Sequence, residues 1–140
     1  MPQNKYKLSP EEYQDYIENL YLKNIFLESC STKVNKENQD FPQEISINFK
    51  TNYNNIENEI AEVRRKYTLT GYKEKKSIFC LKITAEFVLV YHTKKEFSDD
   101  FFEIFKEVNV PLNIWPYFRE FAQNMIARMD LPNLTLPLIK

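Results

Sequence analysis

Apolar side chains occupy every second position of one segment of this chain, between Ser77 and Tyr91. Successive side chains of a β-strand point to opposite faces, so this alternation predicts one long strand with a wholly apolar face. The opposite face is mixed, since it begins and ends with apolar residues and is polar between them. The apolar face consists of Phe79, Leu81, Ile83, Ala85, Phe87, Leu89 and Tyr91.

A second segment, from Leu20 to Leu27, is apolar on both faces of a predicted strand. Period-two alternation puts Leu20, Leu22 and Phe26 on one face, and Tyr21, Ile25 and Leu27 on the other. A strand with two apolar faces needs a layer packed on each of them. A chain of 140 residues covers one face with its own helices, so the second face suggests a contact with another subunit.

The middle of the chain is less clearly patterned. Alternation between Ile45 and Phe49 predicts a short, half-buried strand. Ser31–Asp40 is polar without periodicity and is interpreted as a solvated connection, and the asparagine-rich segment Asn52–Asn58 is prone to turns. Between residues 56 and 69 the apolar positions fit a helix as well as a strand interrupted by Arg65, so both remain open.

Three helices are predicted, each from a start signal followed by helical spacing. Ser9-Pro10-Glu11-Glu12 combines an N-cap serine, a first-position proline and a capping-box glutamate, and predicts a helix from Pro10 to about Glu18. Ser98 caps a second helix, which Pro111 is expected to end. Pro116 opens a third helix with the apolar stripe Trp115, Phe118, Ala122, Met125, Ile126 and Met129.

Together these elements predict an α+β fold in which a four-stranded antiparallel meander sheet carries helices on one face. The length suits one domain, so residues 1–140 are expected to form a single unit with a helical extension over residues 1–18.

The composition argues against several classes of function. A formal net charge of −1 provides no electrostatic reason to bind nucleic acid or an anionic membrane. Gly71 is the only glycine, so a glycine-rich phosphate-binding loop is excluded. The chain begins without the apolar stretch of a secretory signal and contains no run long enough to span a membrane, so we expect a cytoplasmic protein.

No cluster of residues supports catalysis. His92 is the only histidine, and Cys30 and Cys80 lack the spacing of metal ligands. His92 is interpreted as a solvated residue at the end of a strand, and Cys80 as a buried, inert thiol. We therefore expect no bound metal, no cofactor and no enzymatic activity.

The chain nevertheless has more apolar surface than one small core requires. Contacts between subunits account for part of it. A groove for extended, unfolded segments is the functional alternative, and an oligomer would align several such grooves. The surplus residues are Leu20, Leu22, Phe26, Val88, Val90, Leu131, Leu134, Leu136, Leu138 and Ile139.

The C-terminal order of motifs resembles the SecB family of export chaperones. Trp115-Pro116-Tyr117-Phe118-Arg119-Glu120 is similar to the aromatic-Pro-Tyr-x-Arg-Glu run that opens the family's helix, and Arg128 before Leu131-Pro132 is similar to its end. Ile17–Glu28 is similar to the family's first strand, and Ile78-Phe79-Cys80 to the start of its last strand. The resemblance covers most of the chain from Ile17 onward and implies a strand between residues 56 and 69.

The resemblance implies a homotetramer, a dimer of dimers, that holds unfolded precursor polypeptides in the cytoplasm without ATP. Three departures argue against docking to the SecA motor. Asn24 and Leu81 replace two acidic residues of the SecA-binding patch, although Glu28 keeps another. Neither the family's long C-terminal helix nor its zinc-binding tail follows the leucine-rich segment. In this respect the chain is more similar to shorter SecB-like proteins, some of which serve one antitoxin.

These observations lead to one leading hypothesis, an ATP-independent holdase with a role in protein export. The alternatives are a dedicated chaperone or adaptor for one partner, such as an antitoxin, and a structural or regulatory subunit that pairs with a folded protein. The motif residues Trp115, Pro116, Tyr117 and Arg119 are expected to fix the helix on the sheet, and Arg119 needs a carbonyl or carboxylate partner if it is buried. The residues favoured for client contact are Leu22, Phe26, Leu131, Leu134 and Leu136.

Overall fold

The computed structural model describes residues 7–35, 37, 44–72, 78–131 and 136. The predicted first helix is confirmed with its cap, because the Ser9 hydroxyl accepts a hydrogen bond from the Glu12 backbone N–H and donates one to the Glu12 carboxylate. The elements are α1 (Pro10–Glu18), β1 (Leu20–Val34), β2 (Glu44–Ile56), β3 (Ile60–Tyr72), β4 (Phe79–Thr93) and α2 (Asp99–Arg128).

The strands pair antiparallel in the order β1-β4-β3-β2. The α+β class and the four-stranded antiparallel sheet are confirmed, but a strict meander is wrong because β1 pairs with β4 and not with β2. A meander would leave β4, the most apolar strand, at an edge where its backbone groups are open to other chains. The observed order places β4 in the interior and the asparagine-rich β2 at an edge.

β1 is longer than its apolar residues indicate. It continues to Val34, so the beginning of Ser31–Asp40 is a strand, with Ser31 opposite Thr84 and Lys33 opposite Lys82. Backbone pairing requires no apolar side chain, which is why the polar composition concealed this part. Of the remaining predicted connection, residues 36 and 38–40 lie outside the described residues, as does the polar connection at 73–77 before β4.

A β-bulge at Lys23 decides which side chains of β1 face the helices. An extra residue in one strand shifts the period-two alternation by one position. The prediction that Leu22 and Phe26 share a face is therefore wrong. Directly opposed residues of paired strands share a face. Leu20, Leu22, Ile25 and Leu27 lie on the helix face, while Tyr21, Asn24 and Phe26 lie on the opposite face, which we call the outer face.

The ambiguous segment is the strand β3, as the resemblance implied. The prediction of a turn over Asn52–Asn58 is wrong for most of its length, because β2 continues to Ile56 and pairs with β3 throughout. The turn is confined to residues 57–59, where Asn58 and Glu59 have φ values of 68° and 62°. Asparagine tolerates this left-handed region better than most residues, so the composition indicated the turn only at Asn58.

α2 is one helix of 30 residues with Pro111 and Pro116 inside it. The prediction of two helices separated at Pro111 is therefore wrong. An interior proline costs a helix about 3 kcal/mol, but buried side chains continue on both sides of each proline and pack on the same sheet. Their burial offsets the cost. These side chains are Phe101, Phe102, Phe105, Val110, Ile114, Trp115, Phe118, Ala122 and Ile126.

The core lies between α2 and the helix face of the sheet, and α1 packs against the start of α2. The ring of Tyr16 stacks on that of Phe101 with 4.1 Å between centroids. The Tyr16 hydroxyl donates to Ser98 Oγ at 3.1 Å, and Lys95 Nζ lies 2.8 Å from Asp15 Oδ2. α1 is thus held by aromatic packing, side-chain hydrogen bonds and an exposed ion pair.

Candidate functional site

An open groove lies between the edge strand β1 and the C-terminal half of α2. It encloses about 390 Å³ and is lined on the strand side by Ile25, Leu27 and Phe87. On the helix side it is lined by Tyr117, Phe121 and Met125, and the remaining lining residues are Phe26, Glu120, Asn124 and Arg128.

Local sequence features on both elements build this groove. The bulge at Lys23 turns Ile25 and Leu27 toward α2. On α2, Tyr117, Phe121 and Met125 recur every four residues, and residues four apart are neighbours along one side of a helix. The exposed fractions of Tyr117 and Leu27 are 50% and 39%. Large apolar side chains that stay exposed in a concave surface mark a binding site rather than core.

The polar residues of the groove carry both signs of charge, with Glu120 and Arg128 on the same helix. Asn124 Nδ2 donates to the Glu120 carbonyl at 3.1 Å. Among the described residues β1 pairs only with β4, so within this part of the chain one of its edges offers backbone N–H and C=O groups to an incoming strand. This arrangement can bury apolar side chains and pair with an extended backbone.

Two of the residues favoured for client contact lie on β1, on opposite faces. Leu22 is half-buried and packs against the core from the helix face. Phe26 is 42% exposed, lies opposite Val88 on the outer face and also lines the groove. The structure therefore does not bring the two together, and only Phe26 belongs to the groove.

The leucines after α2 lie in a different environment from the one expected of client-binding residues. Leu131 and Leu136 belong to the core cluster, with exposed fractions of 8% and 2%. Both side chains are therefore buried in this conformation. Leu134 lies outside the described residues.

Some residues of the family motif are buried in the core and others lie at the surface. Trp115 is fully buried and its ring lies 5.5 Å from that of Tyr67, which agrees with a role in fixing α2 on the sheet. Pro116 is exposed, and Tyr117 lines the groove. Arg119 is half-buried, and within the described part of the chain its Nε has no hydrogen-bond partner.

Sequence reasoning missed Tyr117 and Phe121 as groove residues. A signal was present, because these residues stand four apart on the side of α2 opposite its predicted core stripe and make that side apolar. The same pattern is compatible with a second packing partner for the helix. Only the position of β1 beside α2 shows that the two rings border an open groove.

The outer face carries a charged cluster in place of an open acidic patch. Arg64 Nη2 lies 3.3 Å from Glu28 Oε2, and Arg64 Nη1 lies 3.4 Å from Glu62 Oε1. The hydrogen bond that Arg64 donates to the Glu28 carboxylate raises the pKa of Arg64. Asn24 is exposed on the same face, whereas Leu81 is buried on the helix face. The acid retained at Glu28 is therefore paired with an arginine.

His92 and the cysteines form no catalytic arrangement with each other. His92 is not simply solvated, because its ring lies 5.1 Å from that of Tyr21 and its Nε2 lies 3.2 Å from Glu59 Oε2. Cys80 is buried, as predicted, and Cys30 is exposed. In residues 7–35, 37, 44–72, 78–131 and 136, no group of three or more histidine, cysteine or acidic side chains is placed to hold a metal ion. Neither described helix is long and apolar enough to cross a membrane.

Comparison with known proteins adds a family and a fold. The family described as preprotein translocase subunit SecB matches residues 9–140. A SecB-like chaperone of Mycobacterium tuberculosis, solved in complex with a ChAD peptide from an antitoxin, matches with a TM-score of 0.73 and 17% identity over 89% of this chain and 93% of that chain. A Streptococcus agalactiae protein described as of unknown function matches with a TM-score of 0.43 and 13% identity over 85% of this chain and 97% of that one. No curated protein matches the chain.

Proposed function

This chain belongs to the SecB family, and on that premise we propose that it is an ATP-independent chaperone that holds unfolded polypeptide segments in the groove between β1 and α2. The observation that carries the proposal is the exposure of apolar side chains on both sides of that groove. A protein that binds the unfolded state in preference to the native state keeps its client unfolded without nucleotide. The proposal requires no catalytic step and no cofactor, and it places the protein in the cytoplasm.

The test is aggregation of a chemically unfolded, slow-folding precursor diluted into the purified protein without ATP. We expect suppression by the wild type and about tenfold weaker binding of the precursor by Tyr117→Ala, because large side chains at the centre of an interface contribute more than 1 kcal/mol each. The matched control is Leu112→Ala, which removes a side chain of the same helix that is 59% exposed and does not line the groove. Equal binding by Tyr117→Ala and Leu112→Ala at unchanged melting temperature would place the client elsewhere.

The same sample provides the oligomeric state by light scattering. We propose an oligomer, as a dimer of dimers, because the outer face exposes Tyr21 and Phe26 and one edge of β1 has no paired strand among the described residues. Exposed apolar residues beside an open strand edge are commonly covered by a second copy. A monomeric mass at micromolar concentration would contradict this part of the proposal.

A dedicated chaperone for one partner, such as an antitoxin, is the second candidate. Two observations favour it over delivery to SecA. Glu28 is paired with Arg64 and so offers no free acidic patch, and the SecB-like chaperone with the similar fold was solved with an antitoxin peptide. Titration with purified SecA and with unrelated unfolded precursors separates the two functions. Binding to SecA would favour a role in export. If a well-folded oligomer does not suppress aggregation, the result would favour a chaperone for one dedicated client, or a regulatory subunit that binds a folded protein.

A further inference from the structure

α1 contacts one end of a row of side chains on α2 whose other end lines the groove. Five core-facing residues of α2 recur every four positions, from Val110 to Ile126. The residues that precede them therefore lie along one common flank of α2. That flank consists of Asn109, Asn113, Tyr117, Phe121 and Met125.

The two halves of this flank have different neighbours. The first half is contacted by α1 at Asn109, because the Tyr13 hydroxyl donates to Asn109 Oδ1, and the Tyr13 ring also lies 5.3 Å from that of Phe101, a core residue of the same helix. The second half, from Tyr117 onward, borders the open groove. Between the halves, Asn113 donates to the Tyr91 hydroxyl at 2.8 Å. α1 and the groove thus follow one another along the same side of α2.

α1 is suited to leave this position. It has nine residues, and helices of that length are not stable in water without tertiary contacts. Within the helix only Tyr16 is buried. The charged side chains of α1 are all acidic. Asp15 forms an ion pair with Lys95, which follows β4, and the two side chains are 56% and 42% exposed. Hydrogen bonding to Asp15 raises the pKa of Lys95.

We propose that α1 occupies, within its own chain, the first half of a client-binding trough whose second half is the open groove. We call the surface that α1 contacts the seat of α1. Client segments with aromatic side chains next to a carboxylate displace α1 from this seat, because they can make the same contacts as Tyr13, Asp15 and Tyr16. The inference rests on the proposed function and specifies which client segments the site prefers. It also makes α1 a regulator, because the seat becomes available only when α1 leaves.

Competition of this kind lowers the apparent affinity for clients. The dissociation constant rises in inverse proportion to the fraction of molecules in which the seat is free. A substitution that releases α1 and leaves the seat intact should therefore tighten client binding. Tyr16→Ala is such a change, since it removes the stack on Phe101 and alters no residue of α2 or of the sheet.

The experiment compares Tyr16→Ala and Asp15→Ala with the wild type, and Glu11→Ala is the control that removes a carboxylate from an exposed position of the same helix. The probes are the unfolded precursor and a synthetic peptide with the sequence of residues 8–19. We expect Tyr16→Ala to bind both probes about tenfold more tightly than the wild type. Asp15→Ala should change binding less in the same direction, and Glu11→Ala should behave as the wild type.

Hydrogen exchange over Pro10–Glu18 of the wild-type protein provides a second readout. Addition of the precursor should accelerate exchange in α1 and slow it in β1. Unchanged exchange in α1, together with unchanged binding by a folded Tyr16→Ala variant, would overturn the inference. If Tyr16→Ala does not fold, Asp15→Ala and the exchange data decide in the same way.

These outcomes separate the inference from the proposed function. Loss of precursor binding in Tyr117→Ala without any effect of the α1 variants would leave the holdase intact and reject the role of α1. Binding of the precursor by Tyr16→Ala but not by the wild type would support complete cover by α1. Absence of binding in every variant would reject both.

Discussion

Arg65 is a buried arginine in β3 whose role follows from the side chains around it. It interrupts the apolar alternation of β3, and its side chain is 1% exposed. Its guanidinium lies 3.9 Å from the ring centroid of Phe49, and its Nη1 donates to Thr51 Oγ1 and the Lys106 carbonyl, both at 3.2 Å. Burial lowers the pKa of Arg65. The Arg65 side chain therefore joins the sheet to α2 through hydrogen bonds, and we call this arrangement the clamp. It reaches α2 at Lys106, about one turn before Pro111.

Substitution of Arg65 tests this clamp. Arg65→Lys should lower the free energy of unfolding by about 2 kcal/mol, because a lysine ammonium cannot reproduce the planar fork and leaves a strongly hydrated charge buried. Arg65→Met should stay within about 1 kcal/mol of the wild type, since an apolar side chain of similar length removes the buried charge. Urea unfolding measures both. A methionine variant less stable than the lysine variant would show that the hydrogen bonds outweigh the cost of burying the charge.

At the scale of elements, α2 shows tertiary packing overriding a local stop signal. Pro111 and Pro116 each remove a backbone hydrogen bond, and from sequence they separate two helices. In the structure the core-facing residues continue from Val110 to Ile126 on one sheet. The bulge in β1 is a comparable case, because one inserted residue exchanges the faces of the strand and thereby places Ile25 and Leu27 in the groove.

Pro116 offers a direct measure of the strain in α2. It is exposed, so Pro116→Ala should restore a helical hydrogen bond without disturbing the core, and the free energy of unfolding should rise by about 1–2 kcal/mol. This estimate combines the helix penalty of proline with the entropy that proline removes from the unfolded chain. Leu112→Ala is the control for a surface change in the same helix. A loss of stability in Pro116→Ala would show that packing on the sheet uses the shape that the proline imposes.

At the scale of the whole molecule, tyrosines tie the helices to each other and to the sheet, and they make stability sensitive to alkaline pH. Burial raises the pKa of Tyr13 to about 12. Burial, followed by the hydrogen bond to Asp99, raises that of Tyr53 to about 12, and burial also raises the pKa of Tyr67 and Tyr91. A group whose pKa rises on folding stabilises the folded state below its unfolded pKa, and this contribution is lost as pH rises through the folded pKa.

We therefore expect the contribution of Tyr13 and Tyr53 to the free energy of unfolding to be constant below pH 10.0. The contribution should fall between pH 10.0 and about 12. Chemical denaturation at several alkaline pH values measures the slope. Tyr53→Phe should reduce it, whereas Tyr21→Phe, on the exposed outer face, is the control. An identical slope in both variants would contradict the assignment to Tyr53.

The sequence by itself determined the elements whose signals are local. The capping box defined the start of α1 at Pro10, the uninterrupted alternation identified β4, and the C-terminal motif indicated the family that the comparison confirmed. These features depend on hydrogen bonds and side-chain periods within one segment. Such local interactions are encoded by neighbouring residues, so they can be read without knowledge of the fold.

Only the tertiary structure decided which segments meet. It placed β1 beside β4, joined two predicted helices into α2, buried Leu131 and Leu136, and brought Tyr117 and Phe121 to the helix-facing side of β1. In each case the free energy of burying apolar area against a segment distant in sequence offsets a local cost, such as that of a proline or a bulge. That comparison requires the positions of both segments, and periodicity along the chain does not contain them.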